Sequence, residues 1–149
     1  MFKTEKPTHV EDLINDPNFS IDNWYGYVYL TTNMETGKQY IGKKNFRHTK
    51  NVKLGKKELA ALPVTRGRKP TTKEVLTESD WKTYFGSAQE IKDTPKDKLE
   101  RVILQLCKTK GDLTYYETKY LFSYGVLEDD NKWINDNILG TFYRKNLSF

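Results

Sequence analysis

The stretch "WYGYVYLTTNMETGKQYIGK" constrains the fold more than any other part of the chain. From Trp24 to Thr32 the residues are mostly aromatic or β-branched, a composition that suits a pleated, half-buried strand. Alternation places Tyr25, Tyr27, Tyr29 and Thr31 on one face and Trp24, Gly26, Val28 and Leu30 on the other. "NMETG" supplies a turn and "KQYIGK" returns as a second strand, so an antiparallel hairpin is predicted. Tyr29 and Tyr40 then stand at matching points on its two arms, either as packing residues or as chemistry.

Elements around the hairpin follow from capping and periodicity. "THVEDLINDPNF" has Thr8 three residues before Glu11, a capping-box spacing, and predicts a short helix stopped by Pro17. "KKELAAL" reads as a short helical piece ended by Pro63, and "TRGRKPTT" as a loop. Ser79 and Ser87 are candidate N-caps for two short helices separated by Gly86. "DKLERVILQLC" is too apolar and β-branched at its centre for a surface helix, so it is predicted as a third strand. The best-defined helix begins at an Asp112 cap, carries Leu113, Tyr116, Tyr120, Leu121 and Tyr124 as its apolar stripe, and ends at Gly125. Tyr25, Tyr27, Tyr84, Tyr115, Tyr116, Tyr120 and Tyr124 are expected to pack, with Trp24, Trp81 and Trp133 anchoring the core. Cys107, the one cysteine, lies in the apolar run "RVILQLC"; it excludes an intrachain disulfide and a cysteine-cluster zinc site, and reads as a buried small hydrophobe. At 149 residues, one domain with its own core is the default.

Charge is concentrated. From Lys38 to Lys73 twelve lysines and arginines face one acid, Glu58, whereas the remaining residues carry thirteen basic and nineteen acidic side chains. Such a segment either repels itself into a solvated loop or faces a polyanion, of which nucleic acid is the commonest. A membrane surface fits poorly, because "VTRGRKPTTK" has no apolar helical face. Met1 to Thr8 is polar and no apolar run has the length of a membrane span, so no signal peptide or transmembrane segment is expected and the compartment reads as cytoplasmic. His48 lies in the basic segment as a solvated or phosphate-contacting residue, and His9 has no identifiable partner.

Glu117 is out of place. It lies four residues from both Leu113 and Leu121, so helix periodicity sets its carboxylate beside the apolar stripe. A partly buried carboxylate needs a cation or hydrogen bonds, and a bound metal ion would serve. Alternatively, the stripe is narrower and Glu117 reaches solvent or pairs with Lys119.

"YVY" at Tyr27–Tyr29, ten intervening residues, then "YIG" at Tyr40–Gly42 resembles the paired signature of the GIY-YIG nuclease superfamily, with Tyr27 where that family usually has glycine. The longer pattern "GYVYLTTN…GKQYIGKKNF…SDWKTYFGS…LCKTKGDLTYYETKYL" is similar to small phage-encoded members. The resemblance implies an α+β fold: a small antiparallel three-stranded sheet flanked by helices. It implies a nuclease domain over residues 24–149 with a basic insertion at about 45–78, preceded by a helical extension at residues 1–23. The activity implied is DNA phosphodiester hydrolysis with a single divalent cation, Mg²⁺ or Mn²⁺. Tyr29 and Tyr40 then position or activate water and bind the scissile phosphate, Glu117 ligates the metal, and Asn137 matches a late supporting asparagine. The family arginine about ten residues after the second tyrosine falls here on Lys50. Lys44, Arg47 with His48, and Lys82 with Tyr84 are the other candidates for the cationic role. Lys43, Lys50, Lys53, Lys56, Lys57, Arg66, Arg68 and Lys69 are expected to bind the DNA backbone. A silent nucleic-acid-binding protein and an RNA nuclease on the same scaffold remain alternatives, and both monomer and homodimer stay open.

Phosphodiester hydrolysis needs an activated water, a Lewis acid and positive charge where negative charge accumulates. Tyrosine, with a reference pKa of roughly 10, serves as a base only where a cation stabilises the phenolate. One carboxylate without a clustered acidic set points to one metal rather than two.

Overall fold

A computed structural model describes residues 8–63 and 67–149. In chain order its elements are β1 (Thr8–His9), α1 (Val10–Asn15), β2 (Gly26–Asn33), β3 (Gln39–Asn45), β4 (Arg47–Lys53), α2 (Lys56–Ala60), β5 (Thr72–Glu78), α3 (Gln89–Asp93), β6 (Leu99–Cys107), α4 (Lys110–Ser123), β7 (Asn137–Ile138) and β8 (Phe142–Tyr143). They form two compact units, one from Met1–Phe46 with Asp80–Phe149 and the other from Arg47–Ser79. Among the described residues no helix is long and apolar enough to cross a membrane.

The first unit is α+β, built on an antiparallel sheet of order β1-β6-β2-β3. The predicted hairpin forms one half of it, with β3 at the edge. Asn33 sets the turn, accepting from the backbone of Glu35 at 3.0 Å, and Gly37 supplies a φ of +77° that a side chain would resist. Tyr29 pairs with Gly42 and Tyr40 with Thr31, so the two tyrosines are diagonal rather than opposite. The third predicted strand is β6, and the two residues of β1 add a short fourth at its far edge. Between Val28 and Tyr29 the β2–β6 register shifts, and the carbonyl of Leu104 at that irregularity accepts from the Tyr120 hydroxyl at 3.2 Å.

Both sheet faces are buried. Val28, Ile41 and Cys107 pack with Leu113 and Leu121 of α4 and with Val126, Leu127, Trp133 and Ile138. Tyr27, Tyr29, Ile103 and Leu106 pack instead with Val10, Leu13, Phe46 and Trp81. Tyr25 joins the first cluster and Trp24 the second, the reverse of strict alternation, because the strand begins only at Gly26. Burial raises the Cys107 thiol pKa to about 11, consistent with a packing residue.

Several local expectations shift. Thr8 and His9 pair with β6, so α1 starts one residue later, with His9 and Asp12 forming the capping box in place of Thr8 and Glu11. His9 also finds a partner, Glu100, at 3.3 Å. Thr109, not Asp112, caps α4, accepting from the Asp112 backbone at 3.0 Å. Ser79 starts no helix, and α3 begins after Ala88 rather than Ser87. Tyr115 and Tyr124 were expected to pack but are 63% and 49% exposed, since the stripe of α4 narrows to Leu113 and Leu121 with Tyr116 and Tyr120 half-buried.

In the second unit β4 and β5 form an antiparallel ribbon, Arg47 opposite Glu78 through Lys53 opposite Thr72. The sequence analysis assigns no strand to residues 47–53 or 72–78, because "RHTKNVK" and "TKEVLTE" have no apolar face for alternation to reveal.

Candidate active site

The free edge of β3 organises the site. Strand β3 lies at one end of the four-stranded sheet, so alternate backbone groups along it lack a strand partner. At Gln39 the backbone supplies one: its N–H donates to Lys132 at 2.8 Å and its carbonyl accepts from Ile134 at 2.8 Å. At Ile41 a side chain takes over: Asn135 Oδ1 accepts from the N–H at 3.0 Å while its Nδ2 donates to the carbonyl at 2.8 Å. At Lys43 the backbone N–H hydrogen-bonds to the Glu117 carboxylate. Three successive outward positions are thus met by backbone, amide and carboxylate, and this ladder fixes Glu117 on α4 against β3.

Where the ladder ends a cleft of about 650 Å³ opens, lined among others by Tyr40, Lys43, Ser87, Glu90, Glu117, Asp136 and Asn137. Burial raises the Glu117 pKa, a shift that the Lys43 charge and the Lys43 backbone hydrogen bond partly offset. Lys43 faces Glu117, whereas Lys119 lies over the Tyr116 ring at 5.8 Å. Lys43 Nζ donates to Thr114 Oγ1 at 3.1 Å, which anchors it to the same helix. The Tyr40 hydroxyl lies 2.8 Å from Ser87 Oγ, and a Cβ at Gly86 would press on the Tyr40 ring at 3.2 Å. Burial raises the Tyr40 pKa, the Ser87 hydrogen bond opposing it, so without a cation beside it Tyr40 is a phenol.

Tyr29 belongs to a different environment. It is 2% exposed, its hydroxyl lies directly over Gly42, and any Cβ there would collide with it. The final glycine of the "YIG" motif is therefore a space requirement. Burial, followed by the neighbouring Tyr84 and Tyr40, raises the Tyr29 pKa well above its ordinary value. Its ring is 6.4 Å from Tyr40 and 6.0 Å, edge-on, from Tyr84. Lys44 joins this group: Nζ lies 4.0 Å over the Tyr84 ring and 2.5 Å from Asp80. Tyr27, on the glycine position of the motif, is buried and donates to the Trp81 carbonyl at 3.3 Å.

Of the cation candidates in this unit, Lys44 is beside the tyrosines, and Lys82 is an exposed side chain 5.9 Å from the Trp81 ring. Asn137 lines the cleft, but its side chain is bound to Asp136 and to the Gly140 backbone, while Asn135 grips the strand. Arg47, His48, Lys50 and Lys53 lie on β4, Lys56 and Lys57 on α2, and Arg68 and Lys69 before β5, all in the second unit. Arg66 lies outside the described residues.

Two arginines that the sequence reading passed over hold the loops in place. Arg101, 3% exposed, donates to the carbonyls of Trp81 at 3.2 Å, Tyr84 at 2.7 Å and Lys82 at 2.5 Å, and pairs with Glu11 at 3.0 Å. Arg144 donates to Leu127 at 3.0 Å, Val126 at 2.6 Å and Asn135 at 2.6 Å. Each ties one site-bearing loop into the fold. An arginine inside the apolar strand "LERVILQLC" was the available signal for the first.

Among the described residues no group of three or more His, Cys, Asp or Glu side chains could hold a metal ion by itself. A half-buried carboxylate facing an open cleft still fits a hard cation that keeps several waters and takes phosphate oxygens from its substrate.

An antiparallel sheet carrying the paired tyrosine motif, with a glutamate from the following helix at its edge, is the arrangement that the GIY-YIG resemblance implies. The family model described as "Putative endonuclease segE, GIY-YIG domain" matches residues 11–138, and the chain belongs to that family. No curated protein and no solved structure matches the chain.

Proposed function

We propose that the chain is a DNA endonuclease that hydrolyses phosphodiester bonds with one divalent cation, Mg²⁺ or Mn²⁺, held by Glu117. The observation that carries this reading is the meeting of Tyr40, Lys43 and Glu117 around one cleft at the free edge of β3. When bound, such an ion supplies a Lewis acid for the phosphate and a more acidic water. Glu117 is the carboxylate that would hold it, and the remaining positions go to water and substrate oxygens.

The chain's own groups account for the rest. Lys43 sets positive charge in the cleft, where a phosphate would accumulate negative charge in hydrolysis. The Tyr40 hydroxyl orients the attacking water or a phosphate oxygen, with Ser87 fixing its direction. Tyr29, closed off from the cleft, acts as a positioning residue that sets the Tyr40 ring and the Gly42 backbone. Lys44 biases the tyrosine cluster electrostatically from the other side.

Nicking of supercoiled plasmid with and without Mg²⁺ tests the reading. Wild type should nick only with the metal. Glu117→Ala should abolish nicking, and Tyr40→Phe should slow it by about 10²–10³-fold, the usual range for losing one preorganised hydrogen-bond donor. Equal behaviour of wild type and Glu117→Ala would leave a silent binding protein, and cleavage confined to RNA would replace DNA as the substrate.

A further inference from the structure

The β4–β5 ribbon sorts its charges by face. Strand alternation with the observed register puts Arg47, Thr49, Asn51 and Lys53 on the same face as Thr72, Glu74, Leu76 and Glu78. The opposite face carries His48, Lys50 and Val52 with Lys73, Val75 and Thr77. Both acids of the ribbon strands are therefore on one face, balanced there by Arg47 and Lys53. The other face has two lysines, a histidine and no acid of its own. Lys73 on that face is engaged by Glu58 of α2 at 2.7 Å, which leaves Lys50, opposite Val75, as its central charge. His48, Lys50, Lys73 and Val75 are exposed, and Val52 and Thr77 half-buried.

We propose that the Lys50 face of this ribbon lies in the major groove of duplex DNA and reads sequence there, which rests on the nuclease reading for its choice of nucleic acid. Size selects the groove. Two strands about 4.8 Å apart, with side chains on both sides, enter a major groove about 12 Å wide but not a minor groove about 6 Å wide. The major groove of A-form RNA is too deep and narrow to admit them. Chemistry agrees: Lys50 donates to guanine N7 and O6, His48 and Thr77 hydrogen-bond base edges, and Val75 packs on a thymine methyl. The opposite face, where Arg47 and Lys53 offset Glu74 and Glu78, carries no net charge to draw it to the duplex. The chain thereby carries its own sequence reader.

The test is equilibrium binding of the full chain to a fluorescent 30-bp DNA duplex in EDTA, where hydrolysis does not intervene. Lys50→Ala and Lys53→Ala remove the same charge from opposite faces of one strand, and both positions are exposed, so thermal melts should match wild type. Lys50→Ala should weaken binding about tenfold and Lys53→Ala less than threefold. Methyl green, a major-groove ligand, should displace the protein, and netropsin, a minor-groove ligand, should not. His48→Ala should broaden the set of sequences cleaved. Equal losses at Lys50 and Lys53, displacement by netropsin alone, or equal affinity for a 30-bp RNA duplex would each overturn the proposal. A wild type that binds as expected yet never nicks plasmid would sink the nuclease reading instead.

Discussion

At the scale of single residues, Glu117 concentrates the physical argument. Its pKa is raised by burial, so the folded chain holds the proton more tightly than the unfolded chain does. The stabilisation from that proton is complete below the unfolded value of about 4.5 and is lost as pH rises through the folded value. Glu117→Gln, which carries no charge at any pH, should therefore melt close to wild type near pH 4. It should melt above wild type at pH 7 in metal-free buffer, as thermal denaturation at the two pH values would reveal; equal melting at pH 7 would remove the burial argument. Helix periodicity alone made this residue legible, because a carboxylate four residues from both Leu113 and Leu121 had to be accounted for. Tyr40 was legible from its motif. Ser87 was not, since a serine beside Gly86 looks like any turn or cap until Tyr40 is seen across from it. Nor could "NDN" reveal which asparagine grips β3: Asn137 fits the family pattern by order and lines the cleft, while Asn135 reaches the Ile41 backbone.

Among the elements, the decisive one is an edge strand that is covered piece by piece. Strand β3 carries Tyr40, Ile41 and Lys43, and its exposed edge would otherwise be a template for pairing with another chain. Asn135 closes the middle of it. Asn135→Ala removes both partners of Ile41, and each orphaned backbone group costs roughly 1–3 kcal/mol. Chemical denaturation should report that loss, with plasmid nicking falling as the β3 edge separates from α4; unchanged stability would show that water replaces the amide without cost. The strands of the sheet were readable because β2 and β6 are dense in aromatic and branched side chains. The capping of α1 was misplaced by one residue since pairing of Thr8 and His9 with β6 is a tertiary fact invisible to local sequence. The β4–β5 ribbon escaped for the opposite reason: with no apolar face it gives alternation nothing to show, and its composition resembles a loop.

For the whole molecule, the part of the basic segment from Arg47 onward belongs to a separate compact unit, Arg47–Ser79, with its own ribbon, while Lys38, Lys43 and Lys44 stay with the sheet, Glu117 and the tyrosines in the other unit. Charge density could announce a polyanion partner, but the sorting of charge between ribbon faces depends on register, which no single strand specifies. On the two proposals chemistry and recognition fall in different units, so the claim of metal binding at Glu117 is testable without DNA bound. Anomalous diffraction from crystals soaked in Mn²⁺ is the most direct test of that claim. One peak beside the Glu117 carboxylate, in the cleft shared with Tyr40 and Lys43 and absent in Glu117→Gln, is the expected result. No peak in that cleft, or one that persists in Glu117→Gln, would contradict it.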